Sequence, residues 1–231
     1  MPNSSSEAKT IQARVIGVSG NIVSIETDQP VMKNEVAFVH LGTASDRGRP
    51  APDADPTRLK SEVLRVHGNT ADIQVFEDTG GIQVGDAVEL TKEMLSAVLG
   101  PGLLGVIFDG LQNPLHELAQ RDGFFLKRGT TVPALALTTQ WEFHPTCKIG
   151  DRLKAGDVLG TVPERNITHK IMVPFGQSGD VEIVWIGKGK HRADDCIARV
   201  RDARGREQKL TMQQRCCLLY TSDAADERVR V

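Results

Sequence analysis

Two glycine-lysine steps, Gly187-Lys188 and Gly189-Lys190, are the first places where this sequence suggests chemistry. A Gly-Lys pair is how a phosphate-binding loop presents backbone amides and an ammonium to a nucleotide. Such a loop also needs a glycine five residues before its Gly-Lys and a hydroxyl after it. The first pair has Glu182 and Gly189 at those positions, and the second has Val184 and His191, so neither qualifies. The adjacent His116-Glu117 invites an acid–base reading, but neighbouring residues on a helix point to different faces and do not converge on one substrate atom. His67 lies in a His67-Gly68-Asn69 turn with no partner at metal-ligand spacing. Cys147, Cys196, Cys216 and Cys217 show no Cys-x-x-Cys spacing, so they read as free thiols and indicate neither a zinc site nor a disulfide framework. The expectation is that this chain carries no catalytic, cofactor-binding or metal-binding residue.

Composition narrows the field. At 231 residues and a net charge of -2, the chain is long enough to bury one or two cores and lacks the basic balance of a nucleic-acid binder. The basic residues Lys188, Lys190, His191, Arg192, Arg199, Arg201, Arg204, Arg206 and Lys209 are interleaved with Asp194, Asp195, Asp202 and Glu207, which reads as a solvated mixed-charge face. No apolar run approaches the roughly 18–20 residues that span a bilayer. Met1 to Thr10 lacks a signal peptide's apolar segment. The implied location is cytoplasmic.

The elements that would position any site are mostly strands. Ile11, Ala13, Val15 and Val18 lead into Ser19-Gly20-Asn21, and Ile22, Val23 and Ile25 follow, which predicts a hairpin. Glu35–Val39 predicts a further strand and residues 43–57 a loop. Leu59–Val66 and Ala71–Phe76, joined by His67-Gly68-Asn69, predict a second hairpin, and Ala87–Leu90 another strand. Short strands at this spacing suit a small closed barrel. Residues 93–99 (Met94, Leu95, Val98) and 111–120 (Leu111, Leu115, Leu118) have helical spacing, and Pro114 suits the first turn of the second helix. From Phe124 the pattern is β-rich again. Gly150-Asp151 and Gly156-Asp157 place two tight turns six residues apart, as a flattened two-sheet barrel would need.

The stretch between these units is the most informative. Gly100-Pro101-Gly102-Leu103-Leu104-Gly105-Val106-Ile107-Phe108-Asp109-Gly110-Leu111-Gln112-Asn113-Pro114-Leu115 is heavy in glycine and proline, yet too apolar for a solvated linker. It reads as a buried connector. Its wording closely resembles the signature that follows the N-terminal barrel in the catalytic A subunit of vacuolar/archaeal-type (V/A-type) rotary ATPases. A later stretch adds to this. Gly156-Asp157-Val158-Leu159-Gly160-Thr161-Val162-Pro163-Glu164 with His169-Lys170-Ile171-Met172-Val173-Pro174 resembles the inserted bulge domain of that protein.

The resemblance covers about residues 11–214. It implies a mainly β chain: a start at 1–10 without order, an N-terminal β-barrel at 11–92, a short mixed connector with helices at 93–123 that belongs with a nucleotide-binding domain, a barrel-sandwich-like bulge at 124–203, and a return segment at 204–214. It also implies contacts with B subunits and with other A copies in a hetero-hexameric ring. Peripheral-stalk contacts through the bulge, an indirect link to the membrane ion-translocating sector, and a peripheral place on the cytoplasmic face of a membrane follow from it as well. ATP and magnesium would serve the full-length parent. The family's P-loop and catalytic glutamate fall beyond Gln214, so the nucleotide-binding α/β domain is missing here and the chain as given is expected to be inactive alone. Composition breaks from Arg215, with Cys216-Cys217 and the lone Tyr220, and Cys217–Glu227 resembles the tail that translated sequencing adaptor leaves on unrelated sequences, so residues 215–231 are expected to be a non-native tail. Two rival readings stand beside this one. F-type and flagellar-export ATPase subunits share the barrel but lack the bulge. A standalone two-barrel adaptor, or a lipoyl/biotinyl-like carrier, would use Lys170 as the modified residue; but Lys170 sits beside Ile171 and Met172 inside a strand-like run.

Overall fold

The structure, a computed structural model, describes residues 13–42, 57–123 and 126–217. The expectations for residues 1–10, for most of the 43–57 loop and for 218–231 lie outside the described residues. The chain divides into two compact units, the first formed around residues 13–95 and the second around 96–123 and 131–216.

The first unit is a closed six-stranded barrel of β1 (Ala13–Ser19), β2 (Ile22–Glu26), β3 (Glu35–His40), β4 (Arg58–His67), β5 (Thr70–Val75) and β6 (Ala87–Met94), in the order β1-β2-β5-β4-β3-β6. Alternation explains it. Val23 and Ile25 in β2, Leu59 and Val63 in β4, and Ala71 and Ile73 in β5 point inward and are buried, while their neighbours face out. The pairs Ala13↔Val88 and Arg14↔Ala87 close the ring and leave no free sheet edge. Gly20 and Gly68 take positive φ in the two predicted hairpin turns.

Buried polar side chains in this barrel are tied to the backbone, Glu35 and Ser61 among them. Glu35 is fully buried and its carboxylate accepts the amides of Met32 (3.1 Å) and Lys92 (2.7 Å). Those bonds serve the place where the β3–β6 register slips between Glu35 and Ala37 and Lys92 takes a φ of 57°. Ser61 Oγ donates to the Ala37 carbonyl at 2.9 Å.

The helix expected at 93–99 is not formed. β6 continues to Met94, opposite Glu35, and residues 96–99 form a further strand, β7 (Ser96–Leu99). The physical reason is length: Gly100-Pro101 stops any helix within two turns, too short to be stable on its own, whereas strand pairing satisfies the same backbone at once. The segment expected to open the second unit also behaves differently. Residues 126–130 group with the barrel. Arg128 donates to the carbonyls of Asp78 and Gly80, and the Gly129 amide donates to Glu77 Oε2 at 2.7 Å. A β-carbon on Gly129 would lie 2.9 Å from Thr57 Cγ2 and 3.1 Å from the Arg58 carbonyl, so only glycine allows this approach.

The second unit holds β7, the helix α1 (Leu115–Asp122), then β8 (Gln140–Pro145), β9 (Arg152–Leu153), β10 (Val158–Glu164), β11 (Ile167–Met172), β12 (Val181–Ile186), β13 (Gly189–Arg192), β14 (Ala198–Asp202), β15 (Glu207–Leu210) and β16 (Gln214–Cys217). Two four-stranded sheets, β11-β10-β8-β13 and β15-β14-β12-β9, enclose a core of Phe143, Leu159, Val162, Ile171, Ile183, Ile197 and Leu210. β16 pairs with β7 in a separate two-stranded sheet. The expected Gly-Asp turns are present: Gly150 and Gly156 take positive φ, and Asp151 and Asp157 each accept, at 2.7 Å, the amide three residues back (Lys148 and Lys154).

Candidate functional site: the glycine-rich connector

The connector is ordered by side chains that reach it from far along the chain. At its start, β7 is flanked on one edge by β16 and receives the Gln112 side chain: the Val98 amide donates to Gln112 Oε1 and Gln112 Nε2 donates to the Val98 carbonyl, both at 2.7 Å. Gln112 adopts a left-handed φ of 62° to make this reach. Gly100 is buried, and a β-carbon there would lie 2.9 Å from Leu135 Cδ1 and 3.3 Å from the Met212 carbonyl.

Next comes the Gly102–Gly105 turn, held by the tip of the β10–β11 hairpin. Glu164, at 2 % exposure, accepts the Gly102 amide on Oε1 at 2.7 Å and His169 Nδ1–H on Oε2 at 2.6 Å. Two charge-assisted bonds offset the cost of burying this carboxylate. The guanidinium of Arg165 lies where a β-carbon on Gly105 would stand, and Trp141 Cζ2 would meet one on Gly102 at 3.3 Å. A small cleft of about 210 Å³ lies here between Gly102, Val106, Trp141, Glu164 and Arg165.

The end of the connector is a loop built on Asp109. Its Oδ1 accepts the amides of Leu111 (2.9 Å) and Asn113 (2.7 Å), and Oδ2 accepts Asn113 Nδ2 (2.9 Å). Asn113 in turn accepts the Val132 amide at 3.1 Å. The loop closes with a bridge between Phe108 and Pro114, and Pro114 takes the N-cap position of α1, one residue before its first turn.

The residues singled out for chemistry are scattered. Gly187 is buried after β12, and Gly189-Lys190 opens β13, which runs antiparallel to β8; no helix N-terminus follows either Gly-Lys pair. His116 pairs with Gln120 at 2.9 Å on the exposed side of α1. His67 ends β4 on the surface, and its carbonyl accepts Thr70 Oγ1. Lys170 is exposed within β11 opposite Thr161, whereas the hairpin tip is Arg165-Asn166. Burial raises the Cys147 thiol above its ordinary value, its own backbone hydrogen bond opposing and Asp151 adding to the shift. Among the described residues no group of three or more His, Cys, Asp or Glu side chains is placed to hold a metal ion. The residues that matter most for the connector, Glu164, Arg165, Trp141 and Gln112, carried no local signal except the left-handed turn that Gly102 and Gly105 imply.

Taken together, a closed barrel, a clasped glycine-rich connector and a two-sheet sandwich define a two-module β scaffold. Residues 15–92 match the beta-barrel domain of the ATP synthase alpha/beta family, and residues 132–217 match the barrel-sandwich domain of the ATP synthase alpha/beta subunit. The chain belongs to that family. Within it, the chain is 49 % identical over 199 residues to V-type ATP synthase alpha chain 1 of Treponema pallidum, a match covering 86 % of this chain and 32 % of the relative. It is 44 % identical over 220 residues to the V-type ATP synthase alpha chain of Treponema denticola (95 % and 35 %) and 46 % identical over 202 residues to that of Borreliella afzelii (87 % and 33 %). The chain thus spans about a third of the length of the curated relatives it matches. These matches favour the V-type alpha-chain reading over the carrier built on Lys170.

Proposed function

We propose that this chain forms the barrel, connector and barrel-sandwich part of the catalytic A subunit of a V/A-type rotary ATPase. In the parent protein, ATP hydrolysis or synthesis is coupled to proton or sodium transport. The observation that carries this reading is one match at 49 % identity across 86 % of the chain, reaching over both modules and the connector between them. Scaffolding is the role assigned to these residues. The barrel meets B subunits, with other A copies completing the ring. The second unit meets the peripheral stalk, and the membrane ion-translocating sector is reached indirectly. The net charge of -2 supports a protein partnership over a nucleic-acid one.

Among the described residues no helix is long and apolar enough to cross a membrane, which supports a peripheral position through the complex on the cytoplasmic face. ATP and magnesium are cofactors of the parent. These 231 residues hold no Gly-x4-Gly-Lys-Ser/Thr, so by themselves they supply no group for phosphoryl transfer. The test is a chimera in which residues 13–217 replace their counterparts in the Treponema denticola alpha chain. Two results are expected: assembly with B subunits, then ATP-driven ion pumping. A folded chimera that fails to assemble would overturn the proposal, as would magnesium-dependent ATP hydrolysis by the isolated chain for the claim of inactivity.

A further inference from the structure

We propose that the β10–β11 hairpin is a latch, set by Glu164 and His169, that fixes the Gly102–Gly105 turn and so directs the chain into Val106–Pro114. Four observations meet here. The Glu164 side chain, 3 % exposed, holds the turn with one oxygen (Gly102 N–H, 2.7 Å) and His169 with the other (2.6 Å). The partners lie on different stretches: Gly102 is 62 residues from Glu164, whereas His169 is five residues on, across the same hairpin. Arg165, at the tip, covers Gly105, so consecutive side chains of one hairpin grip both glycines of the turn. His169 is 26 % exposed and lines a second, larger groove of about 510 Å³ with Leu103, Leu104, Ile171, Phe175 and Met212.

The physics of the grip is asymmetric. Both oxygens of a carboxylate this buried need donors, and each donor helps hold the orientation that the other oxygen's bond requires. Removing the imidazole therefore weakens the bond to Gly102 as well, although His169 never touches the turn. Glu164 is a positioning residue, and His169 acts through it.

Amide hydrogen exchange on the ¹⁵N-labelled 231-residue chain tests this. Gly102 is read against Ile183 and Ile197, whose amides bond the carbonyls of Asp151 and Leu210 at 2.9 Å. In E164A and in H169A the Gly102 amide is expected to exchange at least about tenfold faster, with Ile183 and Ile197 within about threefold of the parent. E164Q, whose amide oxygen still accepts from Gly102, should restore most of the protection. In a W185F background Trp141 is the only remaining tryptophan, and its emission should shift to the red in E164A but not in E164Q. Gly102 exchange unchanged in E164A would overturn the latch. So would an equal rise at Gly102, Ile183 and Ile197 in both E164A and H169A, which is what a general loss of packing produces.

Discussion

Gln112 hydrogen-bonds Val98 as a neighbouring strand would, its side-chain oxygen taking the Val98 amide and its side-chain nitrogen giving to the Val98 carbonyl, each at 2.7 Å. One amide side chain thus stands in for a strand on the edge of β7. Q112A should leave both groups of Val98 without this partner and cost about 1–3 kcal/mol. Q112E should do no better, because a carboxylate accepts the amide but has no hydrogen for the carbonyl. Urea unfolding of the second unit, followed by tryptophan fluorescence, measures both; midpoints equal to the parent's would show that β7 does not depend on the clasp.

Gly160 is a tight backbone approach in the second core. A β-carbon there would sit 2.5 Å from the His144 carbonyl and 2.5 Å from Phe143 Cε2, and Phe143 is fully buried. G160A should destabilise the second unit by about 1–3 kcal/mol through overpacking. Gly110 is the control, with nothing within 4 Å of the added carbon. G110A should stay within about 0.5 kcal/mol of the parent. Thermal melts of the two variants give the comparison, and equal losses would contradict it.

The β14–β15 turn should loosen in acid. Asp202 is held below its ordinary value of 3.8, first by the Arg206 amide and then by the Arg206 side chain. A carboxyl depressed in the folded state adds stability that is fully present above its unfolded value and is lost as the pH falls through the folded one. The window therefore lies at and below the ordinary carboxylate range. NMR should show the Arg206 amide shifting upfield as the pH drops there, and D202N should abolish that titration. An Arg206 amide that still titrates in D202N would rule Asp202 out as the cause.

Cys147 should alkylate slowly. Burial holds its thiol above the ordinary 9.0, so little thiolate is present near neutrality, and its Sγ lies 3.3 Å from the Leu159 carbonyl. Iodoacetamide labelling at mildly alkaline pH, read by peptide mass spectrometry, should be much slower in the folded chain than in urea. Equal rates would place the thiol in solvent.

The barrel was legible because its strands alternate: Ala71, Ile73 and Val75 go in while Asp72 and Gln74 sit on the other face. The Gly-Asp turns were legible because one residue supplies the φ and the next supplies the acceptor. Leu95 and Val98 misled, since a three-residue spacing in a short apolar run serves helix and strand alike, and the pairing that decides comes from β16, more than a hundred positions away. The grip on the connector was hidden for the same reason. Glu164 looks like any polar residue after a proline, and only the fold brings it to Gly102. Resemblance carried the family where periodicity carried only the class.

β7 and β16 pair near the first and last described residues of the second unit. The long path between them, from Leu99 to Gln214, is a detour whose two gateposts are nailed together. A loop that grows along the excursion lengthens the detour without parting its ends, provided the Gln112 clasp on β7 and the β10–β11 hairpin are kept. Such a geometry makes the excursion a cassette, transplantable as one piece so long as the gateposts and the Gln112 clasp travel with it.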